Sequence, residues 1–341
     1  MQAFIKVELI SPAMIGGADS RSLDNPNVLR PPAVRGHLRF WTRALSGGFE
    51  TNIKSIKKDE GLLLGRTESG QRLIFSPPQQ KCFQKERKNL LPNKNIKQDM
   101  LIPNNRQITI RFRMNYSEFI EDISIFDKLR AVFWVWLHLG AIGRRSRRGF
   151  GSLQWVPAPG DFLDGFVEFN PDTDLATRDT LKDYLIKGLR KVCEVWKVPS
   201  DSESRKTCNF FSLSTIDQVF IGYVFKNRDG KVIQEIDDKP GGVIELLHGL
   251  NKNSSGEMME LGHAGWLSYK HRTDGLQNKL ASPMMWRIFP CGEGFVPVMT
   301  WSPYKHDTIN PGTKLYEYIY KELGFRKSLA EKTISKIDSH V

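Results

Sequence analysis

The sequence predicts an α+β fold whose first half has the βαββαβ order of a ferredoxin-like domain. Strands are predicted at residues 4–9 and 107–114, where apolar and polar side chains alternate. Helices are predicted over 31–46, where apolar residues recur at helical spacing, and over 127–142, which is apolar nearly all round. Irregular strands separate the two helices, and a strand resumes at 150–155 after a glycine-rich loop. This order of elements is that of the split βαβ unit.

The first predicted helix, named here the arginine helix (31–46), carries two lines of side chains. Pro31 and Pro32 suit its first turn, and Gly47 ends it. The two lines lie about 130° apart around the helix axis. One line is apolar and the other is basic; they comprise Val34, Leu38, Trp41 and Leu45, and Arg35, Arg39 and Arg43. Gly36 weakens a helix by about 1 kcal/mol relative to alanine, which suggests a close backbone approach there.

The second basic feature is the run GRRSRRGFG, named here the arginine loop (143–151), which follows the buried helix. Backbone N–H groups of a glycine-rich turn can form a concave anion site, and guanidinium groups match phosphate geometry. A solvated turn that offsets the helix dipole needs one or two arginines, whereas this loop has four. The sequence therefore predicts phosphate binding by Arg144, Arg145, Ser146, Arg147, Arg148, Gly149 and Gly151.

Other segments are less regular. Residues 81–98 are rich in lysine and arginine and are expected to be a mobile basic insertion. The predicted strand at 107–114 places Arg111 and Arg113 on one side as a third basic element. In the second half we expect a strand at 218–225 and a hairpin over 283–301 that turns at 292–294. Helices are expected at 178–198, 256–271 and 313–325. The helix at 178–198 is assigned to neither domain, and Asp127 is expected to cap the buried helix.

Composition favours a polyanionic partner and a cytoplasmic protein. The 341 residues carry a net charge of +12, with 40% hydrophobic and 26% charged residues, as in soluble globular proteins. The four cysteines are widely spaced, without the pattern of a metal site or a disulfide scaffold, which favours a reducing compartment. The apolar run at 131–139 is too short to span a bilayer. We expect no membrane partner, no metal and no cofactor.

Candidates for catalysis are few. His37 lies inside the arginine helix and is the candidate, because a metal-independent ribonuclease needs such an acid or base near the phosphate. Residues 148–155 partly match the RNA-recognition-motif pattern, but Ser152 stands where an aromatic residue is expected. That pattern also belongs on a strand before the second helix, whereas these residues follow it. We therefore reject the RNA-recognition-motif interpretation.

Three motifs resemble one known family. The runs RPPAVRGHLRFWTRAL, GRRSRRGFGSL and LASPMMWRI, at 30–45, 143–153 and 280–288, are similar to motifs of the CRISPR-associated RAMP proteins. The first is similar to the signature of subunit one of the Cmr module, in type III-B effector complexes. The motifs occur in the family's order and span most of the chain. The chain departs from the family pattern at Ala33, His37, Thr42 and Leu280.

The resemblance implies two tandem ferredoxin-like domains, which we place at 1–160 and 161–341. It implies a non-catalytic subunit that helps to bind target RNA near the 3′ part of the guide RNA, in antiviral defence. The implied partners are CRISPR guide RNA, complementary target RNA and other Cmr effector subunits. By the motifs, the RNA-binding residues are those of the arginine loop with Arg30, Arg35, Arg39 and Arg43.

Two other functions stay open from the sequence. One is a RAMP-type metal-independent endoribonuclease that processes CRISPR RNA, with His37 as its candidate acid or base. The other is a scaffold whose basic surfaces bind acidic proteins. The first predicts cleavage of repeat RNA in the presence of EDTA, and the second predicts RNA affinity that is indifferent to the arginines.

Overall fold

The computed structural model describes residues 1–15, 29–66, 70–76, 84–91, 94–115, 123–198, 219–226, 230–234, 236, 243 and 284–301. The protein has a mixed α+β fold with antiparallel sheets. In chain order the elements are β1 (Gln2–Leu9), α1 (Pro31–Ser46), α2 (Ile53–Leu64), β2 (Gly65–Arg66), β3 (Gly70–Gln71), β4 (Leu73–Phe75), β5 (Gln84–Leu91), β6 (Lys94–Ile102), β7 (Gln107–Met114), α3 (Ile123–Leu139), β8 (Leu153–Trp155), α4 (Pro171–Asp174), α5 (Arg178–Trp196), β9 (Val219–Ile221), β10 (Met284–Cys291) and β11 (Gly294–Trp301).

The first half is built on a four-stranded antiparallel sheet with strand order β4-β7-β1-β8. Along the chain, β1, α1, β4, β7, α3 and β8 follow the predicted βαββαβ order. The alternation seen in the sequence sets the register: Ile5 faces Ile110 and Val7 faces Ile108, and all four side chains are buried. The α2 helix and the strands β2, β3, β5 and β6 are insertions in this unit.

The apolar helix α3 forms the centre of the core. Its Phe133 ring stacks on Phe112 of β7 at 5.1 Å, and Phe162 packs edge-on against Phe112 at 5.2 Å. The helix begins at Ile123, so the expectation that Asp127 caps it is wrong. Asp127 lies inside the helix, where a pairing with Arg130 at 3.8 Å occupies its carboxylate. In the described part of the chain, no helix is long and apolar enough to cross a membrane.

Residues 156–165, which contain the predicted boundary between the two domains, pack into the first-half core. Phe162 and Leu163 are buried there. The backbone N–H of Lys6 on β1 donates to the carboxylate of Asp161 at 3.1 Å. This segment is therefore tied to the first sheet and does not form an exposed linker.

The predicted helix at 178–198 is confirmed as α5, and it packs against α3. A side chain at Gly188 would place its Cβ 1.9 Å from the Trp134 ring, so only glycine allows this close approach. The Trp134 indole N–H donates to the Tyr184 hydroxyl at 3.1 Å. The helix that the sequence assigns to neither domain thus shares a core with α3.

The second half contains a three-stranded sheet with order β10-β11-β9. The predicted hairpin is confirmed: β10 and β11 pair antiparallel from Met284 and Trp301 down to Cys291 and Gly294. The predicted strand at 218–225 is present in part as β9. The predicted helices at 256–271 and 313–325 lie outside the described residues, as do residues 280–283 of the third motif.

The basic segment at 81–98 differs from expectation. Instead of an irregular stretch, β5 and β6 form a hairpin with Gln84 opposite Ile102. Its base is attached to the segment after β1, because Ala13 and Leu101 exchange backbone hydrogen bonds of 2.9 Å. Backbone pairing of this kind needs no alternation of apolar side chains, and so the sequence pattern did not show it.

Candidate nucleic-acid interface

Glycines give the arginine loop its path. The backbone φ angles of Gly143, Gly149 and Gly151 are 81°, 79° and 71°, in the left-handed region that favours glycine. A Cβ at Gly151 would lie 2.0 Å from the Ile142 carbonyl oxygen. The glycines are therefore required by local geometry before any ligand is considered.

The loop backbone is hydrogen-bonded on two sides. The N–H groups of Arg144 and Gly151 donate to the carbonyls of Met14 and Pro12, at 2.7 and 2.9 Å. On the other side Gly149 N–H donates to the carbonyl of Trp286 on β10 at 3.1 Å. These N–H groups are committed to the protein. At these three positions the backbone N–H groups are therefore not available for the predicted phosphate cradle, and the prediction of phosphate binding depends on the guanidinium groups.

The arginine side chains of the loop crowd one another. Burial lowers the pKa of Arg145, and the nearby charges of Arg148 and Arg144 lower it further. Burial also lowers the pKa of Arg148. Arg144 is exposed, while Arg145, Ser146, Arg147 and Arg148 are half-buried. Because like charges at close range disfavour each other, a bound anion would be stabilised here.

The arginine loop lies against one side of α1. The Arg147 guanidinium sits 5.5 Å from the centre of the Phe40 ring, a distance at which a cation and an aromatic face attract. Next to Phe40, the exposed face of α1 carries Ala33 and Gly36. A Cβ at Gly36 would meet nothing within 4 Å, so no packing within the described structure requires glycine there.

The arginines of α1 have partners inside the chain. Arg39 and Arg43 both pair with Glu60 of α2, through an Arg39 contact of 3.2 Å and an Arg43 Nη2–Oε1 contact of 3.2 Å. The Glu60 side chain is only 11% exposed. Arg35 donates to the side-chain oxygen of Gln71 at 3.0 Å. The sequence predicted a row facing solvent, but the insertion that follows α1 folds back and neutralises part of it.

Arg30 lies at the start of α1. Its carbonyl oxygen accepts hydrogen bonds from the N–H groups of Ala33 and Val34, at 2.9 and 3.1 Å. The residue is exposed. Arg30 therefore begins the helix with its backbone and leaves its side chain at the protein surface.

His37 is packed and is not poised for acid–base chemistry. Its ring stacks on the Trp136 indole at 5.7 Å with planes 13° apart. Burial lowers its pKa to about 4, so the ring is neutral near pH 7. Within the described ranges, no group of three or more His, Cys, Asp and Glu side chains is arranged to hold a metal ion. In this geometry His37 contributes to the packing of α1 against Trp136 of α3.

Arg287 of β10 is a residue that the sequence analysis missed. It is almost completely buried, at 1% exposure, and its guanidinium lies 4.2 Å from the centre of the Phe289 ring. It donates to the carbonyl oxygens of Leu137, Gly140 and Leu153. In the sequence it is one basic residue in an apolar strand, and no local signal distinguishes it.

A separate open pocket of about 730 Å³ lies along α5. Its charges are mixed: Lys187 pairs with Glu168 at 3.3 Å, and Lys191 pairs with Glu194 at 3.0 Å. Exposed pairs of this kind largely cancel in their surroundings. Positive and negative side chains are mixed in this pocket, whereas the arginine loop carries positive charges close together.

Comparison with known proteins gives one family. Residues 6–154 match the RAMP superfamily model. The chain is 27% identical over 183 residues to CRISPR system Cmr subunit Cmr1-2 of Pyrococcus furiosus, covering 45% of this chain and 94% of that protein. It is 25% identical over 205 residues to Cmr subunit Cmr1-1 of the same organism, covering 57% of this chain and 59% of that protein.

Solved structures share the fold. The crystal structure of apo Cmr1 from Pyrococcus furiosus superposes with a TM-score of 0.57 at 17% identity, over 95% of this chain and 97% of that one. A chain in the cryo-EM structure of Type III-B Cmr-beta bound to cognate target RNA and AMPPnP has a TM-score of 0.51 at 11% identity, over 87% of this chain and 93% of that one. At these identities the likeness is one of fold.

Proposed function

We propose, from the match of residues 6–154 to the RAMP superfamily model, that the chain is a non-catalytic RNA-binding subunit of a type III-B Cmr effector complex. Its ligands would be CRISPR guide RNA and the complementary target RNA, near the 3′ part of the guide. Its protein partners would be other Cmr subunits, in the cytoplasm. Its curated relatives are Cmr1 subunits, which supports this assignment.

One observation carries the proposal: four arginines on a loop whose backbone is fixed on both sides. The hydrogen bonds to Met14, Pro12 and Trp286 hold the loop in one path. Burial and the neighbouring charges of Arg148 and Arg144 lower the pKa of Arg145, and a bound phosphate would stabilise these charged groups. Arg144, Arg145, Arg147 and Arg148 would form the phosphate-binding set, with Ser146 between them.

The adjoining face of α1 would extend this surface. Gly36 leaves open space beside Phe40, so an RNA backbone could approach the helix closely. Arg30 is exposed at the start of the helix. Arg35, Arg39 and Arg43 would contribute less, because Gln71 and Glu60 already bind them.

Several features support a binding role without catalysis. His37 is stacked on Trp136 and neutral near pH 7. A general base must reach the proton that it removes, and this ring is packed against the core. The surface would thus hold RNA while another subunit of the assembly cuts it.

We also propose the tandem arrangement that the sequence suggested, with ferredoxin-like domains at 1–160 and 161–341. The βαββαβ order of the first half supports the first domain. The sheet β10-β11-β9 would belong to the second. The close packing of α5 on α3 would make the two domains one scaffold for the loop.

The test measures binding of a fluorescent single-stranded RNA 20-mer as a function of salt. If the intact protein neutralises about six phosphates, log affinity falls with log salt at a slope of about −4. Replacing Arg144, Arg145, Arg147 and Arg148 with alanine should flatten the slope to about −1. The control replaces four basic residues of α5, namely Lys182, Lys187, Arg190 and Lys191, and should keep most of the slope.

The assignment fails if the loop variant keeps the slope of the intact protein, or if the α5 control loses as much. Incubation of the intact protein with repeat RNA and EDTA completes the test. Cleavage that is abolished by His37→Ala would make the protein an endoribonuclease and overturn the non-catalytic role.

A further inference from the structure

We propose that Arg287 is a positioning residue, which sets the path of the arginine loop by holding both of its ends and thereby sets the affinity for RNA. The proposal rests on the function proposed above for the loop. It concerns a residue in the second half of the chain that lies away from the loop arginines themselves. The contacts on each side of the loop carry the argument.

On the entry side, Arg287 binds the end of α3. The same guanidinium nitrogen donates to the carbonyl oxygens of Leu137 and Gly140, the latter at 3.3 Å. The last carbonyls of a helix have no partners within the helix and carry partial negative charge. A guanidinium therefore fits this end both as a donor and as a charge, and it fixes the point where the loop begins.

On the exit side, Arg287 binds the start of β8. Its second terminal nitrogen donates to the carbonyl oxygen of Leu153. One planar group thus joins the end of the helix before the loop to the strand after the loop. The two arms of a guanidinium diverge in a fixed fork, which a lysine ammonium cannot reproduce.

The neighbouring residues of β10 hold the middle of the loop. Trp286 N–H donates to the carbonyl of Arg147, and Gly149 N–H donates back to the carbonyl of Trp286, both at 3.1 Å. Ile288 N–H donates to the Ser152 hydroxyl at 3.1 Å, and that hydroxyl donates to the Gly149 carbonyl at 3.2 Å. The loop is therefore paired with a strand from the other half of the chain.

The burial of Arg287 points to a specific requirement. A charged side chain at 1% exposure is costly unless its donors are satisfied, and an apolar residue would pack at lower cost. Burial lowers its pKa to about 9, which keeps the group charged near pH 7. The carbonyls that accept from it are those that bracket the arginine loop, so its position is tied to the loop and not only to packing.

The experiment uses the full chain with Arg287→Met and Arg287→Lys. Without RNA, hydrogen exchange of the amides of Arg144, Gly149 and Gly151 should speed up by about tenfold or more in Arg287→Met, with α2 unchanged. Affinity for the RNA 20-mer should fall by about tenfold in the same variant. Arg287→Lys should show smaller effects on both, because its ammonium can reach one end of the loop but not both.

A double-mutant cycle separates positioning from general destabilisation. Arg287→Met should cost RNA affinity in the intact loop and nothing further when the four loop arginines are alanine. Additive losses would overturn the proposal. Should Arg287→Met fail to fold, Arg287→Lys takes its place in the cycle and in the exchange experiment, because its ammonium reaches only one end of the loop.

The two proposals fail in different ways. Unchanged exchange in the loop of a folded Arg287→Met protein overturns the positioning role and leaves the RNA function standing. Faster loop exchange with unchanged RNA affinity overturns the role of the loop in RNA binding, and with it this inference about affinity.

Discussion

The arginine helix and the arginine loop are both rich in arginine, but their arginines lie in different environments. On α1, Arg39 and Arg43 converge on one carboxylate of α2, and Arg35 binds Gln71. In the loop, burial lowers the pKa of Arg145, and the charges of Arg148 and Arg144 lower it further. The first set of charges joins elements of the protein to one another. The second set accumulates positive charge on a fixed backbone.

The difference teaches that a basic motif is not yet a binding surface. A row of arginines can form ion pairs with a carboxylate of an insertion that folds against it. Here Glu60 of α2 pairs with Arg39 and Arg43 in this way. A loop can hold several charges close together when its backbone makes the anchoring contacts. The following predictions test this contrast, from the largest expected effect to the smallest.

The first prediction compares equal losses of charge. Arg144→Gln with Arg147→Gln should reduce the magnitude of the salt slope for RNA binding by about 1.4, at about 0.7 per phosphate contact on a single strand. Arg39→Gln with Arg43→Gln should reduce it less. The helix pair should instead lower the free energy of unfolding by about 1–3 kcal/mol, because Glu60 loses its partners. Equal losses of slope in the two variants would contradict the contrast.

The second prediction concerns the effect of pH on stability through His37, on the packed face of α1. The pKa of His37 lies at about 4 in the folded protein and at 6.5 in its ordinary state. Between these values the unfolded chain binds more protons, so stability is fully present above pH 6.5 and falls as the pH drops towards 4. Between pH 7.5 and 4.5 this group should cost about 3 kcal/mol. In urea unfolding experiments, the free energy of unfolding of His37→Gln should fall less between pH 7.5 and 4.5 than that of the intact protein. If the two proteins lose the same free energy over this pH range, the prediction is wrong.

The third prediction concerns the ion pairs that Glu60 forms with the arginines of α1. Glu60→Gln removes the carboxylate that Arg39 and Arg43 share. RNA affinity should rise by about two- to fivefold at low salt, because the surface gains one positive charge. The free energy of unfolding should fall by about 1–2 kcal/mol, since charged hydrogen bonds between α1 and α2 are lost. An affinity that stays constant would show that the helix does not face the RNA.

The fourth prediction concerns two glycines in helices. Gly36→Ala should stabilise the free protein by up to about 1 kcal/mol, since its Cβ enters open space. The same change should weaken RNA binding if the backbone approaches there. Gly188→Ala is the matched control and should destabilise, because its Cβ would meet the Trp134 ring. Thermal unfolding with and without RNA measures both effects.

Much of the first-half fold follows from the sequence because its signals are local. The alternation in β1 and β7, and the helical periodicity of α1 and α3, depend on neighbouring residues. The β10–β11 hairpin has its own turn, and it was predicted for the same reason. The start of α3 was misplaced by four residues, since Asp127 resembles a cap in sequence and pairs with Arg130 in the structure.

The candidate site was less accessible to the sequence. The glycines and arginines of the loop were identifiable because composition is visible directly. Their anchoring was not, because Met14 and Trp286 are distant in the chain. Arg287 was missed for the same reason: its acceptor Leu153 is 134 residues away.

The sequence alone predicted β1, α1, β7 and most of α3, and it showed that two segments of the first half carry dense positive charge. Those properties arise from short-range patterns of side-chain polarity. Only the tertiary structure decided which charges stay concentrated. It brought Glu60 to Arg39 and Arg43, and it brought β10 to the arginine loop. Electrostatic energy depends on distance in space and on burial, and neither quantity is fixed by separation along the chain.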